Sequence, residues 1–448
     1  MEAKPFGNNF VWGAATSALQ TEGSLDADGR GESVWDKAYL QVGAGDESYK
    51  KIDEDVALLK ELGVKAYRFS LSWTRLFPEG VGKLNQKGAD FYCYLVKTLL
   101  VNGIEPYVTL FHWDYPLALE LKGGWLNEES PLWFEEYARG VGRLFNGLVK
   151  NYLTINEPQC FVGMGHYEGS MPPYHQYRGQ DLAQVIHHVL LGSGLAVRAL
   201  RASSTLDLKV MMANTYLPSF PADPMNPDDI EAARLAYLSP KFNHALFSVS
   251  LFADPAFLGH YDRKWLAHLK IGIPYSENDM KIIQAGYDYF GINIYNGYKV
   301  TFKKGQPALV PTPDAPRNSL NWEIHPEALY YGPKYLFERY RKPIFITENG
   351  TCCSDKIVEG SVHDLLRIEY LKDYLKMLGN ALKEGTPIAG YFYWSLLDNF
   401  EWNNGYDPRF GLVYVDYEKG ARRLPKDSFF YFKKVIASDG CEILKDQN

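Results

Sequence analysis

The sequence predicts an α/β fold, a single (β/α)8 TIM barrel over residues 1–448 with elaborated βα loops around a deep pocket. Three observations predict it: short apolar runs bounded by turn residues recur eight times, helix-period stretches lie between them, and the runs end in polar or aromatic side chains. A barrel builds its chemistry at the C-terminal ends of its strands, so the residues ending the runs should meet at one mouth.

The runs, in order, are Phe10–Ala18, Ala66–Trp73, Pro106–Trp113, Tyr152–Asn156, Lys209–Leu217, Tyr287–Tyr295, Pro343–Thr347 and Ile388–Leu397. Val-Met-Met-Ala and Pro-Ile-Phe-Ile-Thr are continuously apolar, as strands buried on both faces require. Helix-period stretches are Ile52–Leu62 (apolar at Val56, Leu58, Leu59 and Leu62), Phe91–Leu100, Trp133–Phe145, Leu182–Leu200, Pro326–Arg339 and Arg367–Leu382. The gap from Leu217 to Tyr287, helical around Asp228–Tyr237, reads as an elaborated loop over the mouth. Gln20, Arg68, His112, Asn156, Glu157, Tyr295, Glu348 and Trp394 should then converge.

A formal charge of −7 and the absence of Lys/Arg runs argue against a nucleic-acid partner, whose phosphates need clustered cations. Aromatic residues at 15% of the chain, many beside polar groups near run ends, suit a sugar-binding cleft and a small neutral substrate. The five cysteines (Cys93, Cys160, Cys352, Cys353, Cys441) are too sparse for a disulfide framework, and no stretch approaches a membrane span. The expectation is a cytoplasmic protein with no membrane or nucleic-acid partner; oligomeric state has no signature in the sequence. His187 and His188 are adjacent, not three or four apart, so metal ligation is not expected, and no cofactor is predicted. Cys352 and Cys353 read as buried inert thiols.

Thr154-Ile155-Asn156-Glu157-Pro158 and Ile346-Thr347-Glu348-Asn349-Gly350 each set one carboxylate at the end of a β-rich run. Glycosidic bonds break so slowly that an enzyme must protonate the leaving oxygen and also stabilise or capture an oxocarbenium-like centre; two carboxyl groups do both.

These two strings resemble the signatures of glycoside hydrolase family 1, the retaining β-glycosidases. So do Phe10–Gly23, Tyr67-Arg68-Phe69-Ser70-Leu71-Ser72-Trp73, His112-Trp113-Asp114, Asn293-Ile294-Tyr295, Trp322-Glu323-Ile324 and Trp394–Trp402, all in family order. The resemblance implies that Glu157 is the acid/base and Glu348 the nucleophile, with Arg68 and Tyr295 supporting the latter. It implies that Gln20 and Glu401 bracket the 3-, 4- and 6-hydroxyls, His112 and Asn156 reach the 2- and 3-hydroxyls, Trp394 forms the floor, and Trp402 donates near the 3-hydroxyl. Trp113, Asn293 and Phe410 join the substrate-binding set, and Trp322 walls the aglycone entrance.

Family members that act on 6-phosphorylated sugars have Ser at the Glu401 position with Lys and Tyr shortly after, whereas this chain has Glu401, Pro408 and Phe410. A carboxylate there should repel a phosphate, and Arg409 is the one nearby cation. Departures cluster on the aglycone side, in Gly163–Pro173 and Thr351-Cys352-Cys353. The implied activity is an exo-β-glucosidase acting on a small β-glycoside or oligosaccharide. β-Galactosidase, β-fucosidase or transglycosidase activity is the alternative, 6-phospho-β-glucosidase a weaker one, and a sugar-binding barrel without chemistry the reading from another class.

Overall fold

Eight parallel strands close into a barrel in the computed structural model of the chain, which describes residues 5–39, 45–239, 248–270, 272 and 275–447. They are β1 (Val11–Ala15), β2 (Ala66–Ser70), β3 (Glu105–Phe111), β4 (Asn151–Asn156), β5 (Lys209–Thr215), β6 (Phe290–Asn293), β7 (Ile344–Asn349) and β8 (Ile388–Trp394). The barrel shuts where β1 pairs with β8, from Val11 opposite Gly390 to Ala15 opposite Trp394.

Every apolar run overlaps one strand, and most runs overshoot its C-terminal end. The Phe10–Ala18 run leaves the ladder after Ala15, and Ala18 opens a short helix (Ala18–Thr21); Trp73 likewise starts the helix Trp73–Leu76. Apolar character outlasts the ladder because the mouth is lined with buried rings, so burial continues where strand pairing stops. β7 errs the other way: it extends through Asn349, so Glu348 lies within the strand and pairs with Asn293 of β6.

The helix Ile52–Leu62 matches its periodicity residue for residue, while the others grow at their ends, to Gln86–Val101, Ser130–Leu144, Gly179–Ala202 and Leu365–Lys383. The helix Ala328–Tyr340 starts later than its pattern and carries Pro333 inside. Gly179–Ala202 corrects the expectation that no segment is long and apolar enough for a membrane: its 24 residues pass by length and hydropathy. It packs instead against Ser130–Leu144, with most of its surface inside the protein.

The segment between Leu217 and Tyr287 is not one mouth loop, although its expected helix is present as Pro227–Leu238. Ser219–Pro221 pairs with Tyr298–Lys303, which turns back as Gln306–Leu309, forming a small three-stranded sheet that joins the loops after β5 and β6. Further on, Glu277–Ile283 packs on Gly179–Ala202 as part of the outer helical layer. Part of this gap lies outside the described residues.

Inside the barrel, beneath the mouth, three rings fill the axis: Tyr107 and Phe345 lie 5.4 Å apart, Tyr107 and Phe392 5.0 Å, and Phe345 and Phe392 5.2 Å. Small residues on neighbouring strands make room for them. A Cβ added at Gly390 would lie 2.4 Å from Phe345 Cζ. Gly390→Ala is therefore expected to lower stability by about 1–3 kcal/mol through overpacking, read as a lower thermal midpoint against wild type.

Candidate active site

At the mouth, one buried cation organises several strands. Arg68 of β2 donates through Nη1 to Glu348 Oε1 at 2.7 Å and to the Thr347 carbonyl at 2.8 Å, through Nη2 to Asn156 Oδ1 at 2.6 Å, and through Nε to Thr109 Oγ1 at 3.2 Å. The other oxygen of Glu348 accepts from the Tyr295 hydroxyl at 2.6 Å. Tyr295 is itself braced: its carbonyl accepts from the hydroxyls of Tyr370 and Tyr374 at 2.8 and 2.9 Å. Burial pushes Glu348 above the ordinary carboxyl value, while Arg68 and the Tyr295 hydroxyl pull it back toward the charged form.

Glu157 follows β4 with a left-handed backbone, φ 46°, and its N–H donates to the Ala213 carbonyl of β5 at 2.7 Å. Positive φ is costly for a side-chain-bearing residue, and here it turns the carboxyl off the strand line. Asn293 Nδ2 donates to Glu157 Oε1 at 2.8 Å and to Asn156 Oδ1 at 3.1 Å, and Asn156 Oδ1 accepts from the same guanidinium that bonds Glu348. Burial first, then the charge of Glu348, raises Glu157 to about 7. One carboxyl thus keeps its proton near neutrality, and its neighbour has a cation and a hydroxyl donor holding it ionised. That is the division of labour an acid and a nucleophile need.

Around the pair stand the sugar-site residues. His112, at the end of β3, has its ring parallel to Trp394 at 5.7 Å and to Trp402 at 5.8 Å. Its Nε2 faces Asn156 Nδ2 at 3.2 Å; because Asn156 Oδ1 already accepts from Arg68 and from Asn293, the amide must donate and His112 accepts at Nε2. Desolvation, with Arg68 adding to it, holds His112 well below the usual imidazole range, so the ring is neutral. Trp113 Nε1 donates to the Asn156 carbonyl at 3.0 Å, and its ring lies 4.3 Å from Trp402. Trp394 is buried at the end of β8, and Phe410 lies beneath the opening. Trp322 is 36% exposed, with its ring 6.0 Å from Tyr295 and 6.1 Å from Phe410, as an entrance wall should be.

Two assignments change in detail. Gln20 is fully buried, and its amide nitrogen donates to Asn399 Oδ1 and to the Phe400 carbonyl at 3.1 and 2.8 Å, while its oxygen accepts from Ser17 at 2.5 Å. It positions the loop that carries Glu401. Glu401 was expected to act as an anion; instead burial, with the charges of Glu348 and Glu157 adding to it, pushes it to about 8, so it is neutral at pH 7 in the free site. Arg409 does not compensate a phosphate, because its Nη1 is held by Asp398 Oδ2 at 2.8 Å and by the Val415 carbonyl at 3.0 Å.

The remaining candidates are structural. Cys352 and Cys353 are buried, and burial pushes Cys353 up to about 11, far from a reactive thiolate. His187 Nδ1 bonds the Tyr261 hydroxyl at 3.0 Å and His188 Nδ1 the Trp125 carbonyl at 2.9 Å, as core histidines do. Sequence reasoning missed Asn399, Thr109 and the hydroxyl of Thr347, which donates to Asn293 Oδ1 at 2.6 Å. All three lie inside runs or strings already singled out, but their partners are met only through the closed barrel.

The profile of glycosyl hydrolase family 1 matches residues 2–441. "Beta-glucosidase A" of Thermotoga maritima is 40% identical over 462 aligned positions, covering 99% of this chain and 100% of that protein. "1,4-beta-D-glucan glucohydrolase" of Thermotoga neapolitana is 38% identical, covering 98% and 99%. Among solved structures, the Thermotoga maritima β-glucosidase in complex with glucoimidazole superposes with a TM-score of 0.88 at 38% identity, over 98% of this chain and 100% of that one.

Proposed function

The chain belongs to glycosyl hydrolase family 1 and is an O-glycosyl hydrolase of β-glucosidase type; from this premise we propose that it removes non-reducing terminal β-D-glucosyl residues from small unphosphorylated glycosides by double displacement. The observation that carries the mechanism is the unequal support of two neighbouring buried carboxyl groups: Arg68 and the Tyr295 hydroxyl bond Glu348 directly, while Glu157, bonded by the Asn293 amide, is raised to about 7 by burial and by the charge of Glu348.

In the first step Glu348 attacks the anomeric carbon while Glu157 delivers its proton to the glycosidic oxygen, and the aglycone leaves with that proton. Esterification consumes the charge of Glu348. The second cause of the raised Glu157 value disappears with it, so Glu157 is ready to take a proton from water, which releases the sugar with its configuration retained. Arg68 steadies the carboxylate that attacks and later departs, and its links to Asn156 keep the sugar-facing amide in register. The neutral Glu401 suits a polyol, since a carboxylic acid can both donate to and accept from a hydroxyl. The five unpaired cysteines support a reducing, cytoplasmic setting.

The pH dependence follows from the two shifts. Catalysis needs protonated Glu157, so kcat/KM should fall as pH rises through about 7. It also needs ionised Glu348, so kcat/KM should fall again as pH drops toward that group's raised value. A bell-shaped profile with p-nitrophenyl β-glucoside is the expected result, and Glu157→Ala should lose its alkaline limb.

Leaving groups separate the roles. Acid assistance is worth roughly 10²–10⁴ in rate, about 3–5 kcal/mol, and only basic leaving groups require it. Glu157→Ala should therefore slow glycosylation by cellobiose far more than by 2,4-dinitrophenyl β-glucoside, with azide relieving the second step; equal losses would refute the assignment. Glu348→Gly should abolish turnover with every substrate.

A further inference from the structure

Thr347 precedes the nucleophile and is fully buried, away from any substrate. Its carbonyl accepts from Arg68 Nη1 at 2.8 Å, and its hydroxyl donates to Asn293 Oδ1 at 2.6 Å. Asn293 is equally buried, and its Nδ2 donates to Asn156 Oδ1 at 3.1 Å and to Glu157 Oε1 at 2.8 Å. A carboxamide has one donor end and one acceptor end, so fixing one end fixes what the other presents.

We propose that Thr347 is a positioning residue for the acid/base: its hydroxyl holds the Asn293 carboxamide so that an N–H, and not the oxygen, faces Glu157. This rests on reading Glu157 as the acid/base. An N–H against a carboxyl group favours the anion, whereas a carbonyl oxygen there would accept from the protonated acid and favour the neutral form. Glu157 must become an anion for the second half of the reaction. A hydroxyl on the nucleophile's own strand thus biases the partner carboxyl, across β6, toward its base form. Asn156, locked by Arg68, supports the same polarity, so losing the hydroxyl weakens the bias without removing it.

Thr347→Val removes the hydroxyl and nearly preserves shape; Thr347→Ser keeps the donor. With Thr347→Val, the alkaline limb of kcat/KM for p-nitrophenyl β-glucoside should move up by about half to one pH unit. The acid limb of kcat for 2,4-dinitrophenyl β-glucoside, where the second step limits, should move up equally. Thr347→Ser should restore both limbs, which loss of packing alone would not explain. Unmoved limbs in a folded Thr347→Val, or a Thr347→Ser that behaves like Thr347→Val, overturn the proposal. Should Thr347→Val not fold, Thr347→Ala removes the same hydroxyl and is held to the same shifts. Azide rescue of Glu157→Ala separates the two levels: rescue together with unmoved limbs overturns this inference alone, and absence of rescue overturns the acid/base assignment beneath it.

Discussion

The guanidinium of Arg68 is the constraint on which the rest of the site depends. It is 1% exposed, and it bonds Glu348, Asn156, Thr109 and the backbone before the nucleophile, so β2, β3, β4 and β7 are tied at their catalytic ends by one side chain. A lysine could offer a charge there but not a planar fork with separate N–H groups for a carboxylate, an amide and a hydroxyl. Removing a cation from a buried pair leaves a carboxylate that must take up a proton or carry an unpaired charge. In the proposed mechanism that carboxylate is the nucleophile, so the interaction that closes the mouth would also keep it reactive.

Three carboxyl groups, Glu157, Glu348 and Glu401, share this buried mouth, and each feels the charge of a neighbour. Opposite a single guanidinium they cannot all ionise. Arg68 and Tyr295 settle which one does, because both bond directly to Glu348. Glu157 is bonded by the Asn293 amide, with a thiol contact from Cys160, and feels Arg68 only through space, weaker support than a direct ion pair, and it rises to about 7. Glu401 has no cation among the groups that shift it, and it rises further. The order of the three acids therefore follows the order of their partners.

Much of this was legible in the chain. The eight runs located eight strands, and the two Glu-bearing strings located two buried carboxyl groups at the mouth, because strand burial and strand-end chemistry both leave patterns local in sequence. What failed was non-local. The antiparallel hairpin Tyr298–Lys303 with Gln306–Leu309 has short, partly exposed strands with no apolar run to mark them. Gln20 looked like a free sugar ligand because its partners, Asn399 and Phe400, lie about 380 residues away. The roles of Thr109 and Thr347 arise from barrel register, which periodicity does not encode.

The protonation of Glu401 changes why a phosphorylated sugar should be disfavoured. On sequence grounds a carboxylate would repel the phosphate, but the buried acid is neutral near pH 7. A dianion entering this pocket still meets the carboxyl of Glu348, and among the described residues the nearby Arg409 is not free to pair with it. Arg409 is spoken for by Asp398 and stacks over Tyr414 at 3.9 Å. Freeing that arginine would leave Asp398, 1% exposed, with Lys426 as its remaining cation, itself shared with Asp355. The cost of recruiting Arg409 thus falls on the ion network behind the pocket. On the proposed preference for unphosphorylated sugars, discrimination against phosphate would come from the missing counter-charge more than from repulsion by Glu401, so neutralising Glu401 by substitution would not by itself admit a phosphosugar.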